Sequence, residues 1–178
     1  MKKLLWLDLE MSGLDVESCR ILEVAAIVTD VQLNELDSYE AIIYQDPPVL
    51  EAMDEWCTRQ HGQSGLTAAV ASGKPEADVE TALVGLVNTH WPKKERPVLA
   101  GNSIATDRDF IRRWMPKFSE RLHYRLLDVS SFKVILKAKH GIRFDKEGSH
   151  RALGDIRESI AELKHYLGFL DIERLPVK

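Results

Sequence analysis

The segment Leu4-Leu5-Trp6-Leu7-Asp8-Leu9-Glu10 reads as a strand, yet it carries two acids. Strand side chains alternate between faces, so Asp8 and Glu10 share one face while Leu5, Leu7 and Leu9 share the other. Two carboxylates placed this way stand about 7 Å apart at Cβ and repel each other. A divalent cation is the simplest compensation. A strand end that reaches solvent is the other reading, because acids are harmless there. Two later stretches add to the set. Gly101-Asn102-Ser103-Ile104-Ala105-Thr106-Asp107 follows a short apolar run and places Asp107 in the first turn of the next helix. Ser149-His150-Arg151-Ala152-Leu153-Gly154-Asp155 opens the last helix, with Asp155 beside the apolar stripe. Taken singly, Asp107 and Asp155 also fit acids at helix starts, and His150 fits a solvated loop histidine. Taken together, four carboxylates and a histidine can meet at the carboxyl ends of one sheet. Such hard oxygen ligands suit Mg²⁺ or Mn²⁺ and not zinc. Two such ions about 3.5–4 Å apart are the usual device for in-line attack on a phosphodiester. One lowers the pKa of the attacking water and the other stabilises the leaving oxygen. A histidine, with an unperturbed pKa of about 6.5, suits the general base.

Periodicity says which elements must hold these residues. Strands are expected over Leu4–Leu9, the nearly all-apolar Ile21–Val28, and Tyr39–Tyr44, which Asp46-Pro47-Pro48 stops. Short turns between them suit an antiparallel meander. Helices are expected over Met53–His61, Leu66–Ala71 and Glu76–Trp91. Val98–Ala100 and Leu126–Val129 read as two more strands. Helices follow over Thr106–Met115, stopped by Pro116, and over Phe132–His140. Gly141–Ser149 reads as a charged loop. The last helix runs from near His150 to Leu167, with Leu153, Ile156, Ile160, Leu163 and Leu167 on one stripe. The pattern is α/β: a mixed five-stranded sheet, three strands antiparallel and two parallel, flanked by helices.

Composition narrows the partners. The 178 residues predict one domain spanning 1–178. The longest apolar runs, such as Val24–Val28 and Ala82–Val87, fall well short of the roughly 20 residues of a membrane span, so no membrane association is expected. Asp8 and Glu10 interrupt the apolar start, which argues against a signal peptide. The two cysteines, Cys19 and Cys57, have no metal-ligand spacing and point to a reducing cytoplasm. The net charge of −4 argues against a grip on long nucleic acid through many phosphates, but it allows a short substrate.

Asp8-x-Glu10, Asp107 and His150-x-x-x-x-Asp155, in that order, resemble the signature of the DEDDh 3′→5′ exonucleases. More narrowly, Trp6-Leu7-Asp8-Leu9-Glu10-Met11-Ser12-Gly13-Leu14-Asp15 is similar to the oligoribonuclease family. Ala100-Gly101-Asn102-Ser103, His123-Tyr124-Arg125, Leu127-Asp128-Val129-Ser130 and Ser149-His150-Arg151-Ala152-Leu153 are similar too. The likeness runs from about Leu4 to Leu167. It implies a ribonuclease-H-like exonuclease fold, two divalent metals, release of 5′-mononucleotides from very short RNA, especially dinucleotides, and a homodimer. By the same resemblance Asp8, Glu10, Asp107 and Asp155 are the metal ligands and His150 is the general base. Leu14 matches a residue that wedges between the two bases, and Trp56 one that packs on a base. Ser103, Tyr124, Arg125 and Ser130 match the group over the terminal 5′ phosphate, with Tyr124 and Arg125 coming from the other subunit. Read without the family, Trp56 also fits a core aromatic, and Tyr124 and Arg125 the surface start of a strand. Two positions depart from the family pattern: Gly154 stands where an acid is usual, and Ser131 where threonine is usual.

Two other functional readings fit the same fold. One is a DEDDh exonuclease acting on longer DNA or RNA, in proofreading or tRNA trimming. The other is a catalytically silent nucleic-acid-binding module, which the complete set of five residues argues against.

Overall fold

The computed structural model describes residues 2–145 and 151–170. Its five strands are β1 (Lys3–Met11), β2 (Ile21–Asp30), β3 (Glu35–Ile42), β4 (Leu99–Gly101) and β5 (Leu126–Asp128). They lie in the order β3-β2-β1-β4-β5. The first three form the expected antiparallel meander, and β4 and β5 run parallel to β1. The chain between β4 and β5 is helical, while that between β1 and β4 carries the rest of the meander before its helices.

β1 is the centre of the sheet, and its alternation divides the core. Leu5, Leu7 and Leu9 pack on one face with Val24, Ala26 and Val28 of β2. That face is covered by α4 (Glu76–His90), α5 (Ile104–Trp114) and α6 (Pro116–Glu120), through Leu83, Val87, Phe110, Ile111 and Phe118. Leu4 and Trp6 pack on the other face with Ala25 and Ile27, beneath Ile156, Ile160, Leu163 and Tyr166 of α8 (Ala152–Leu167). Asp8 and Glu10 continue that second face beyond Trp6. They therefore emerge under the start of α8. The indole of Trp6 donates to Thr29 Oγ1 at 3.0 Å, which satisfies its buried N–H.

A third, smaller cluster of Leu22, Met53, Cys57, Leu66 and Val70 seats α2 (Glu55–Gln63) and α3 (Leu66–Val70) against β2. The remaining helices are α1 (Pro47–Glu51) and α7 (Val129–His140).

Several boundaries differ from the sequence expectation, each for a local reason. β1 runs on to Met11, so Glu10 as well as Asp8 belongs to the strand, both within its last four residues. β3 begins at Glu35, because the polar half of this edge strand pairs with β2 without any apolar pattern to announce it. β3 ends at Ile42, short of the expected Tyr44 and of the prolines, and Pro47 and Pro48 instead open α1, since proline is well suited to a first helical turn. Pro116 likewise ends α5 and begins α6. α7 starts at Val129, where the Asp128 side chain accepts the Ser130 N–H. Gly154 sits in the first turn of α8, and the helix forms around it.

Candidate active site

Three carboxylates converge. Asp8 and Glu10 from β1 and Asp155 from the first turn of α8 offer oxygens that lie within 4.8 Å of one another. All three are half-buried. Burial, then the charges of Asp8 and Asp155, push the Glu10 carboxyl from its ordinary 4.5 to about 8. The three carboxyls crowd one another, and the donor set is all oxygen. Both features fit a hard divalent cation of the Mg²⁺ or Mn²⁺ type.

Asp107 lies beside this trio and not within it. α5 begins at Ile104, two residues earlier than the sequence suggested, which carries Asp107 into the interior at 6% exposure. Its Oδ1 accepts the Leu9 N–H at 3.0 Å, beyond the stretch where β4 pairs with β1. Burial and the Asp8 charge hold its carboxyl well above the usual range. A solvated helix-start acid would show neither feature, so that reading of Asp107 is set aside. His150 lies outside the described residues.

Titration of Glu10 has a sign that can be tested. A folded carboxyl at about 8 holds a proton that the unfolded chain gives up near 4.5. Without metal, the folded state therefore loses stability as pH rises through that window. In EDTA the melting temperature is expected to fall by about 5 °C or more between pH 5.5 and pH 8. Glu10→Gln should flatten much of that slope. Equal slopes in wild type and variant would show that Glu10 does not titrate there.

A cavity of about 440 Å³ opens beside the trio, lined by Glu10, Leu14, Trp56 and His61 among others. Leu14 is 80% exposed and Trp56 55%, so Trp56 is not a core aromatic. Asp54 caps α2 by accepting the Cys57 N–H at 2.7 Å, which fixes the turn that presents Trp56. His61 closes the floor of the cavity. Its Nε2 meets the Met11 carbonyl at 2.9 Å and therefore donates, while Nδ1 stands 3.9 Å from Glu10 Oε2.

Ser103 and Ser130 meet at the carboxyl ends of β4 and β5, with their hydroxyls 3.3 Å apart. Tyr124 and Arg125 do not join them. They precede β5, level with the start of β1, because Leu126 aligns with Leu99 and Leu99 with Leu5. Arg125 lines a separate cavity with Leu4. At about 3.3 Å per residue, Asp8 and Glu10 lie some 13–20 Å further along the sheet. Both residues are exposed, with Tyr124 stacked on His123 and Arg125 set 5.4 Å from the Tyr124 ring centre.

Sequence reasoning missed four supporting residues. Glu23 is buried next to Glu10 in the β1–β2 register, and Arg151 forks onto it at 2.7–3.1 Å. A lone acid inside an almost wholly apolar strand was the available signal. Asn102 and Glu162 hydrogen-bond behind the serines. Glu162 lies seven residues after Asp155, on the same face of α8, so helical spacing could have found it.

Comparison with known proteins agrees with this arrangement. The exonuclease family model matches residues 5–163. The oligoribonuclease of Francisella tularensis subsp. novicida is 45% identical over 166 residues, covering 92% of this chain and 93% of its own. That of Halorhodospira halophila is 45% identical over 170 residues, covering 92% and 91%. Among solved structures, exonuclease I of Methylocaldum szegediense aligns with a TM-score of 0.71 at 21% identity, over 99% of this chain and 41% of that one. E. coli exonuclease I in complex with a dT13 oligonucleotide gives 0.70 at 16%, over 98% and 42%. The chain thus spans about two-fifths of those exonuclease I chains, and the likeness to them is one of fold. With a family model over residues 5–163 and nearly full-length relatives at this identity, the chain belongs to the exonuclease family, in its oligoribonuclease branch.

Proposed function

We propose that this protein is a metal-dependent 3′→5′ exoribonuclease that degrades very short RNA, dinucleotides above all, to 5′-mononucleotides. The observation that carries this reading is the trio of Asp8, Glu10 and Asp155 beside a cavity of about 440 Å³ that Glu10, Leu14 and Trp56 line. The trio, with Asp107, would hold two Mg²⁺ or Mn²⁺ ions. Bound there, the ions would supply water activation and neutralisation of charge on the scissile phosphate. The chain's own residues do the rest. Trp56 offers a face on which any base can stack, worth about 1–3 kcal/mol without regard to sequence. Leu14 inserts between the two bases and splays them. His150 takes the proton from the attacking water. Ser103 and Ser130 donate to the terminal 5′ phosphate, and Arg125 adds a forked bond from the second subunit of a homodimer. The distance of Arg125 from its own trio supports that sharing.

Length preference follows from charge. A net charge of −4 offers no basic track for a long phosphate chain. No described helix is long and apolar enough to cross a membrane. Both cysteines are unpaired, which suits a cytoplasmic enzyme.

The test is a rate comparison between a dinucleotide and a twenty-mer of RNA, with and without EDTA. The dinucleotide should be cleaved at least about tenfold more efficiently, and EDTA should abolish both rates. Equal or better cleavage of the twenty-mer would return the chain to the exonucleases of longer substrates. Activity that survives EDTA would remove the metals from the mechanism.

A further inference from the structure

Asn102 stands between the interior of α8 and the two serines assigned above to the terminal phosphate. Its Nδ2 donates to Ser159 Oγ at 2.8 Å and to Glu162 Oε2 at 2.9 Å. Both partners are buried, Glu162 completely. Ser159 can accept because its own proton goes to the Asp155 carbonyl at 2.8 Å. Glu162 is steadied by the Tyr166 hydroxyl, which donates to Oε1 at 2.8 Å. With two acceptors on its nitrogen, the amide has one favoured orientation, and Oδ1 faces the serines. There it accepts from Ser130 Oγ at 3.1 Å.

Ser130 Oγ in turn accepts the Ser103 N–H at 2.9 Å. Ser103 has φ 51, the left-handed region that a side chain disfavours. Its N–H is gripped from two sides, by Ser130 Oγ and by Asp128 Oδ1 at 3.0 Å. These bonds offset the conformational cost and hold both hydroxyls at one spacing.

We infer that Asn102, locked in orientation by Glu162, is the positioning residue that presents Ser103 and Ser130 to a terminal phosphate. It thereby sets the preference for 5′-phosphorylated over 5′-hydroxyl dinucleotides. This rests on the phosphate-binding role proposed for the two serines. A serine hydroxyl has a single proton. In this structure Asn102 Oδ1 takes that of Ser130. Rotation about Cβ–Oγ hands it from Asn102, which has pre-set the rotamer, to a phosphate oxygen, while the Ser103 N–H still donates to Oγ. Without the amide, Ser130 samples its other staggered rotamers and must be ordered again each time phosphate binds.

The experiment measures kcat and KM for one dinucleotide in 5′-phosphorylated and 5′-hydroxyl forms, on the intact protein with Mn²⁺. The readout is the ratio of the two kcat/KM values. Ser130→Ala should lose most of the wild-type ratio. Asn102→Ala should lower it about tenfold, mainly by raising KM for the phosphorylated form. Glu162→Gln keeps an oxygen for Nδ2 and should hold the ratio within about twofold. Glu162→Met has similar length and no such acceptor, so it should behave as Asn102→Ala does. The inference is overturned if Asn102→Ala slows both forms equally, or keeps the ratio that Ser130→Ala loses. If Ser103→Ala and Ser130→Ala both keep the ratio, the serines do not bind phosphate, and the inference fails with that assignment.

Discussion

Replacing Asp155 with Asn and His150 with Ala should each cut dinucleotide turnover by about 1,000-fold, for reasons that calorimetry separates. Asp155 supplies one oxygen of the trio whose atoms lie within 4.8 Å of one another. Removing its charge removes one of the anionic oxygens that draw cations there. Titration of Asp155→Asn with Mn²⁺ should therefore show affinity weakened by about tenfold or more. His150 is assigned as a base on water. His150→Ala should bind Mn²⁺ as wild type does and bind a dinucleotide within about tenfold of it, with the loss confined to kcat. A collapse of metal binding in His150→Ala would make it a ligand or a structural residue. Normal Mn²⁺ affinity in Asp155→Asn would remove Asp155 from the metal site.

Mixing two dead variants should restore activity. Asp8→Ala removes a ligand, and Arg125→Ala removes the proposed phosphate contact. If each site joins the trio of one chain to the Arg125 of the other, a mixed dimer holds one intact site and one site with both defects. Unfolding and refolding equal amounts together pairs chains at random, so about half the dimers are mixed. Recovery should reach about one quarter of the wild-type rate, with independent sites. The geometry favours this outcome. Arg125 lies level with the start of β1, while Asp8 and Glu10 lie toward its other end. An Arg125 that served its own chain would leave every site with one defect. Mixing would then recover nothing beyond the parents' residual rates, and the shared site would be discarded.

The sequence by itself determined the elements and the identity of the acids. Alternation in Leu4–Glu10 predicted a strand with Leu5, Leu7 and Leu9 on one face and Asp8 and Glu10 on the other, and the structure has that division. The stripe from Leu153 to Leu167 predicted α8, and the spacing of short strands predicted the five-stranded mixed sheet. These are local properties, because a repeat of 2 or 3.6 residues is written along the chain. Tertiary structure decided what stands beside what. It placed Asp155 with Asp8 and Glu10, across more than 140 residues of chain, and set Asp107 against the Leu9 N–H instead. It exposed Trp56, which a helical pattern alone left open as a core residue. It gave Glu23 the guanidinium of Arg151, and Asn102 the carboxylate of Glu162. Burial and partner geometry depend on which faces pack together. No periodicity encodes a hydrogen bond between Asn102 and a glutamate sixty residues later, although buried polar groups must find such partners for the fold to be stable.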